Sequence, residues 1–194
     1  MFLKKVSIFC ASSSKIADVF FRDARIVAEE LANRDIEVLY GGGNAGLMGA
    51  VASVYLEKGG KITGIIPEFM IDNGWAHPTL ENMITVTDMR TRKQMLIRKA
   101  DAIIALPGGP GTLEELSEAI TMKQLGQITI PIVLLNTEGF FNPLLSFWDQ
   151  MIRMNFMRPV HANMWSVITD PRQIIRALLN APAWDPSAVG IAKI

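Results

Sequence analysis

The sequence predicts an α/β protein: a doubly wound parallel sheet flanked by helices, in a single domain. Three observations carry that expectation. Short apolar runs rich in β-branched residues recur along the chain. Segments with helical apolar spacing lie between them, as strand–helix–strand units require. Several runs, "AIIAL" and "IPIVLL" among them, lack the polar alternation of a half-exposed strand, which favours a sheet covered on both faces. A chain of 194 residues fits one domain of ordinary size.

Strands are expected at 6–11, 36–40, 62–66, 83–87, 102–106, 130–135 and 166–169. Helices are expected at 18–33, 46–58, 89–99, 112–125 and 141–155. A last helix opens with Asp170 as N-cap and Pro171 at its first helical position. Phe21, Ile26, Val27, Ala28 and Leu31 share a stripe of the first helix. Leu144, Leu145, Trp148, Met151 and Ile152 share one in 141–155, which reads as core or a subunit interface. The final "APAWDPSAVGIAKI" holds two prolines, so the domain is expected to span 1–181 and an irregular tail 182–194.

Composition narrows the function classes. The chain is 49% hydrophobic and 20% charged, enough apolar surface for a full core. Lys+Arg and Asp+Glu number 19 each, so bulk electrostatic binding to nucleic acid or to an anionic membrane is not expected. The single Cys10 excludes a disulfide within the chain and reads as a small buried core residue. The N-terminus lacks a signal-peptide pattern, and no apolar stretch approaches the ~18 residues of a membrane span, so a cytoplasmic protein is expected. His77 and His161 stand alone, without metal-ligand spacing, and read as structural.

In open α/β sheets, ligands bind beyond the carboxyl ends of the strands, so the loops after the strands carry the chemistry. The first, "ASSSK", offers small hydroxyls at Ser12 and Ser13 for phosphate or ribose; the plain alternative is a helix cap. The second is "YGGGNAGLMG". Gly41, Gly43 and Gly46 satisfy a dinucleotide-fingerprint spacing, and Glu68 lies at about the distance of a ribose-binding acid. Against that reading, the motif follows the second strand, and Glu68 comes after Pro67. The firmer content is close backbone approach and a helix N-terminus that favours an anion.

The third loop, "ALPGGPGTLEEL", places Gly108, Gly109 and Gly111 in a turn stiffened by Pro107 and Pro110. Thr112 at the N-cap with Glu115 three residues on reads as a capping box, but a capping box needs no preceding PGGPG. A phosphate cradle with a carboxylate one turn further on fits better. No Gly-Lys-Ser/Thr follows, so it is not a Walker A loop. Just ahead, Arg90, Arg92, Lys93, Arg98 and Lys99 fall within ten residues. Cations at the start of that helix oppose its dipole, so an anion is expected to compensate.

Together these stretches resemble the LOG ("Lonely guy") family of cytokinin riboside 5′-monophosphate phosphoribohydrolases, whose members have also been labelled possible lysine decarboxylases. The hallmark P-G-G-x-G-T-x-x-E is Pro107 to Glu115; G-G-G-x-x-G-L-M-G is Gly41 to Gly49; the Arg-Lys pair is Arg92-Lys93. The continuation matches Glu115, Thr121, Gln124, Leu125 and Gly126, and the resemblance runs unbroken over roughly residues 4 to 180. It implies a Rossmann-like fold, a homodimer whose site receives residues from both subunits, and no metal or organic cofactor. The implied reaction is hydrolysis of a purine nucleoside 5′-monophosphate to free base and ribose 5-phosphate. Arg92 and Glu115 match the catalytic pair. Ser12, Ser13, Gly42, Gly43, Met89, Lys93, Gly108, Gly109, Gly111, Thr112 and Thr121 match substrate-binding positions.

The chain departs from the family pattern at Ala11 (often glycine), at Arg90-Thr91 (often His-Glu or His-Gln) and at Met122 (often tryptophan). The last two are expected near the substrate, leaving adenine and isopentenyl-adenine both open as the base. The competing readings are a non-catalytic nucleotide or molybdenum-cofactor binder on the same fold, and a decarboxylase. The binder does not need Arg92 and Glu115 together. The decarboxylase needs pyridoxal phosphate on a lysine, and no lysine is marked out for it.

Overall fold

The computed structural model describes residues 3–185, together with 187 and 190. Its strands are β1 (Lys5–Phe9), β2 (Glu37–Tyr40), β3 (Ile62–Pro67), β4 (Met83–Val86), β5 (Ala102–Ala105), β6 (Ile132–Leu135) and β7 (Ser166–Ile168). They form one parallel sheet in the order β4-β3-β2-β1-β5-β6-β7. The helices are α1 (Asp18–Ala32), α2 (Gly46–Lys58), α3 (Glu68–Asp72), α4 (Met89–Arg98), α5 (Pro110–Gln124), α6 (Asn142–Arg153) and α7 (Ile174–Leu179).

The strands are apolar on both sides because both sides are covered. Val6, Ile8, Val38, Tyr40, Ala102 and Ile104 pack with the inward stripes of α1, α2 and α7. Their alternate neighbours Phe9, Leu39, Ile103 and Ala105, joined by Ile65 of β3, pack with α4, α5 and α6. The doubly wound fold expected from the alternation of runs is therefore the fold observed.

Strand order reverses between β1 and β5, and this brings the loops that follow them together. The Ala11 amide donates to the Pro107 carbonyl at 3.1 Å, and the Leu47 amide to the Ala11 carbonyl at 2.9 Å. Gly46 opens α2 at φ +62°, and a Cβ there would lie 2.6 Å from the Ser12 carbonyl carbon. Glycine is what lets the second loop seat on the first.

Several local expectations are corrected. Helix α5 starts at Pro110, not Thr112, because proline's fixed φ suits a first helical position. Gly109 is its N-cap, with no side-chain cap bond, so Thr112 and Glu115 form no capping box. The short α3 was not anticipated, nor were 3-10 turns at Thr137–Gly139 and Pro159–Met164. Asp170 does cap, accepting from the Arg172 amide at 3.0 Å, but the first turn after it is 3-10. Cys10, just past the end of β1, packs against the core as expected but is only half-buried. Met122 packs into the core instead of facing the site. Residues 181–185 lack regular structure, yet Trp184 is buried and its Nε1 donates to the Lys123 carbonyl at 2.7 Å. The rest of the expected tail, apart from 187 and 190, lies outside the described residues.

Candidate active site

Helix α4 enters the site with its N-terminus capped: Asp88 accepts from the Thr91 amide at 2.8 Å. One turn in, Arg92 turns its side chain inward and is buried, 7% exposed. Its Nε donates to the Ile65 carbonyl in β3 at 3.0 Å, and its Nη2 to the Gly41 carbonyl after β2 at 3.1 Å. A planar fork fastened at two points is rigid, which lysine does not reproduce. Gly41 is part of that seat: a Cβ there would lie 2.0 Å from Nη2.

Nη1, the remaining arm of the guanidinium, faces Glu115 Oε1 of α5 at 3.5 Å, and Glu115 is also 7% exposed. Burial pushes the Glu115 carboxyl up to about 7; Arg92 opposes this, and Glu114 adds to it. A carboxyl poised near neutrality is what proton transfer at physiological pH requires. Cys10 stands nearby, its thiol pushed up mainly by burial and then by Glu115. A raised thiol holds little thiolate at neutral pH.

Lys93 points the other way along α4. Its Nζ lies 2.6 Å from Glu114 Oε1 and 2.9 Å from Glu118 Oε2. Arg92 and Lys93 at the head of α4 thus have α5 carboxylates as partners within the chain. The inference that they require an external anion is corrected.

The glycines of the third loop divide. A Cβ at Gly108 would lie 2.1 Å from Thr112 Oγ1, so packing against the buried Thr112 demands glycine there. At Gly109 and Gly111 a Cβ would meet nothing within 4 Å. Packing does not require those two, and both face open space at the α5 N-terminus. Pro110 has no N–H, so Gly111 and Thr112 supply the first-turn amides. An anion there gains roughly 0.3–2 kcal/mol from the dipole.

Other expected contacts scatter. Met89 is half-buried, its Sδ 3.8 Å from Arg92 Nη1. Ser12 and Ser13 are exposed, and Ser13 Oγ accepts from the Lys15 amide at 3.2 Å. Gly42 has φ +73° and is hemmed in by Ile66 and Met83, and Gly43 by Met48. Their glycine character comes from packing within the fold. With Gly46 seated on the first loop and Glu68 exposed at the head of α3, the dinucleotide fingerprint has no structural basis. Thr121 is exposed and spends its hydroxyl on the Ser117 carbonyl at 2.8 Å. Six positions beyond Glu115, it lies about 9 Å further along α5 on a different face. His77 and His161 hold loops: His77 Nδ1 accepts from Thr79 at 3.4 Å and His161 Nδ1 from Arg158 at 3.1 Å.

Sequence reasoning missed the Ile65 carbonyl, since a backbone acceptor leaves no trace in residue identity. It also missed Glu118 as a partner of Lys93, although Glu114 and Glu118 at i, i+4 marked an acidic face.

Comparison with known proteins gives the chain a family. A family model described as "Possible lysine decarboxylase" matches residues 48–178. The cytokinin riboside 5′-monophosphate phosphoribohydrolase LOG5 of Arabidopsis thaliana is 39% identical over 90% of this chain and 77% of its own. The probable phosphoribohydrolase LOGL2 of Oryza sativa subsp. japonica is 38% identical over 90% and 72%. Among solved structures, the molybdenum cofactor carrier protein of Chlamydomonas reinhardtii superposes with TM-score 0.71 over 93% of this chain and 98% of its own, at 19% identity. The molybdenum cofactor binding protein of Rippkaea orientalis does so with TM-score 0.70 over 92% and 97%, at 18% identity. Those two likenesses concern the fold alone. The sequence matches reach further, and on them the chain belongs to the LOG family of cytokinin riboside 5′-monophosphate phosphoribohydrolases.

Proposed function

We propose that this protein hydrolyses the N-glycosidic bond of a purine nucleoside 5′-monophosphate, releasing the free base and ribose 5-phosphate. One observation carries the reading: a buried Glu115 carboxyl at about 7, facing Arg92 beside the glycine-lined N-terminus of α5. The substrate phosphate sits at the amides of that N-terminus. This places the sugar one helical turn further on, at Glu115.

Breaking the bond moves its electron pair onto the base, which takes up a proton as it leaves, and builds positive charge on the ribose ring. The Glu115 carboxylate stabilises that charge and takes a proton from the water that bonds to the anomeric carbon. Proton management contributes about 10²–10⁴-fold. The rest comes from positioning, with phosphate binding energy spent in the transition state. Arg92, held by two carbonyls, orients Glu115 and contacts the phosphate or ribose. A non-catalytic binder on this fold has no use for a carboxyl raised to neutrality against a fixed guanidinium.

Thr121 supports a homodimer. It lies on an exposed stripe of α5 with Leu113 and Ser117, four residues apart, which Leu125 continues at the C-cap. From there it serves the site of a second copy. Such an interface is isologous, so each subunit completes the other's site. No described helix is long and apolar enough to cross a membrane. The proposed setting is the cytoplasm.

The test is incubation with AMP and with isopentenyl-AMP, measuring base and ribose 5-phosphate. Equimolar release from at least one nucleotide is expected. Nucleotide binding without release from either would transfer the reading to a binding protein.

A further inference from the structure

The site as described has an anion-binding end and a charged centre, but no element that meets the base. An aromatic pair stands beside it that neither core cluster absorbs. Phe69 on α3 is 45% exposed and Trp75 is 55% exposed. Their ring centroids are 6.4 Å apart in an edge-to-face arrangement, so each ring fixes the other.

The backbone ties Trp75 to the loop that holds Arg92. Gly43 and Ala76 form an antiparallel bridge, the His77 amide donates to the Gly42 carbonyl at 2.9 Å, and the Asn44 amide donates to the Trp75 carbonyl at 3.3 Å. Arg92 Nη2 holds the Gly41 carbonyl of the same loop. Arg92 and the Trp75 segment are therefore fastened two residues apart, a span of about 7 Å even in extended chain. Phe69 follows the other anchor, the Ile65 carbonyl, by four residues. Both supports of the catalytic arginine lead directly to the aromatic pair.

We propose that Trp75 is a specificity-determining residue that stacks the base of the nucleotide, with Phe69 holding its ring. The inference rests on the hydrolase reading. It gives each part of the nucleotide its own element: phosphate at the α5 N-terminus, sugar against Glu115, base at Trp75. An exposed indole face suits an uncharged aromatic ring, and neither phosphate nor ribose has a π-face to offer it. Trp75 accordingly acts only on ligands that carry a base, and stacking of this kind is worth about tenfold or more in affinity.

The test is calorimetric titration of AMP and of ribose 5-phosphate into the wild type, Trp75→Ala and Trp75→Phe. The AMP titrations use the Glu115→Gln background, which keeps the nucleotide intact. The expected result is about tenfold or greater weakening of AMP by Trp75→Ala, unchanged ribose 5-phosphate affinity, and retention of most AMP affinity by Trp75→Phe. Equal weakening of both ligands, or of neither, overturns the inference and leaves the hydrolase reading intact. Gel filtration shows whether equal weakening comes from a lost subunit contact. Failure of both ligands to bind the unmutated site overturns the hydrolase reading as well.

Discussion

Arg92 Nη1 and Glu115 Oε1 face each other at 3.5 Å, from two helices that cover the same face of the sheet. The two partners are anchored differently. Arg92 is pinned to the ends of β2 and β3 by the Gly41 and Ile65 carbonyls, so its position is set by the sheet. Glu115 is set by where α5 begins, at Pro110. The pair is long for an ion pair, and burial outweighs Arg92 in setting the Glu115 carboxyl.

The rate of base release rises with pH between about 6 and 8, with an inflection close to 7, because only the ionised Glu115 carboxyl accepts a proton. A pH–rate profile of kcat/KM for AMP, which reports the free enzyme, checks this. A profile flat across that range contradicts the role of Glu115.

The charges beside Glu115 tune that inflection. Lys93 lowers the Glu115 carboxyl, while Glu114 and Glu118 raise it. Lys93→Met moves the inflection to higher pH, and Glu118→Gln moves it lower. Lys93 is held by both glutamates, so its loss also loosens α4 from α5. The two pH–rate profiles, compared with the wild type, measure the direction of each shift.

Two glycines are expected to fail differently. Gly41→Ala drives a methyl into the space of Arg92 Nη2, so kcat falls, by up to about 10²-fold if the guanidinium moves by an ångström. Gly109→Ala meets nothing within 4 Å and leaves the fold intact, but its methyl occupies the approach to the α5 amides. There KM for the nucleotide rises several-fold with little change in kcat. Steady-state kinetics with thermal melting separates the two.

Lys123 gives a stability test away from the site. It is 1% exposed, its ammonium donates to the Ile130 carbonyl at 2.8 Å, and burial lowers it to about 8. The folded lysine gives up its proton before the unfolded one does. The unfolded chain therefore binds more protons between about 8 and the ordinary lysine value of 10.5, and stability from this group rises with pH across that window. The gain is roughly 1.4 kcal/mol for each pH unit within it. Relative to Lys123→Met, the wild type gains stability from pH 8 to 10, as denaturant unfolding at both pH values reports.

The fold was legible because the runs that build it are apolar on both faces: Ile103 and Ile104 look alike in sequence although they enter opposite layers. The glycine loops and Arg92-Lys93 were legible as residue types at fixed spacing. What they do separately was not. Gly42 and Gly108 answer to packing, while Gly109 and Gly111 face open space, and only the positions of neighbouring atoms distinguish them. Thr112 read as a cap because its spacing to Glu115 fits a capping box, yet Pro110 starts the helix earlier. The basic cluster read as unpaired because its partners, Glu114, Glu115 and Glu118, come from another helix more than twenty residues on.

The most direct test of the account is release of free adenine from AMP, followed by chromatography, for the wild type and Glu115→Gln, alongside AMP affinity for both. The account predicts release by the wild type, a fall of about 10²-fold or more in the variant, and nearly unchanged binding. Undiminished release by Glu115→Gln would remove the carboxylate from the chemistry. Tight AMP binding with no release of adenine by the wild type would contradict hydrolysis of AMP.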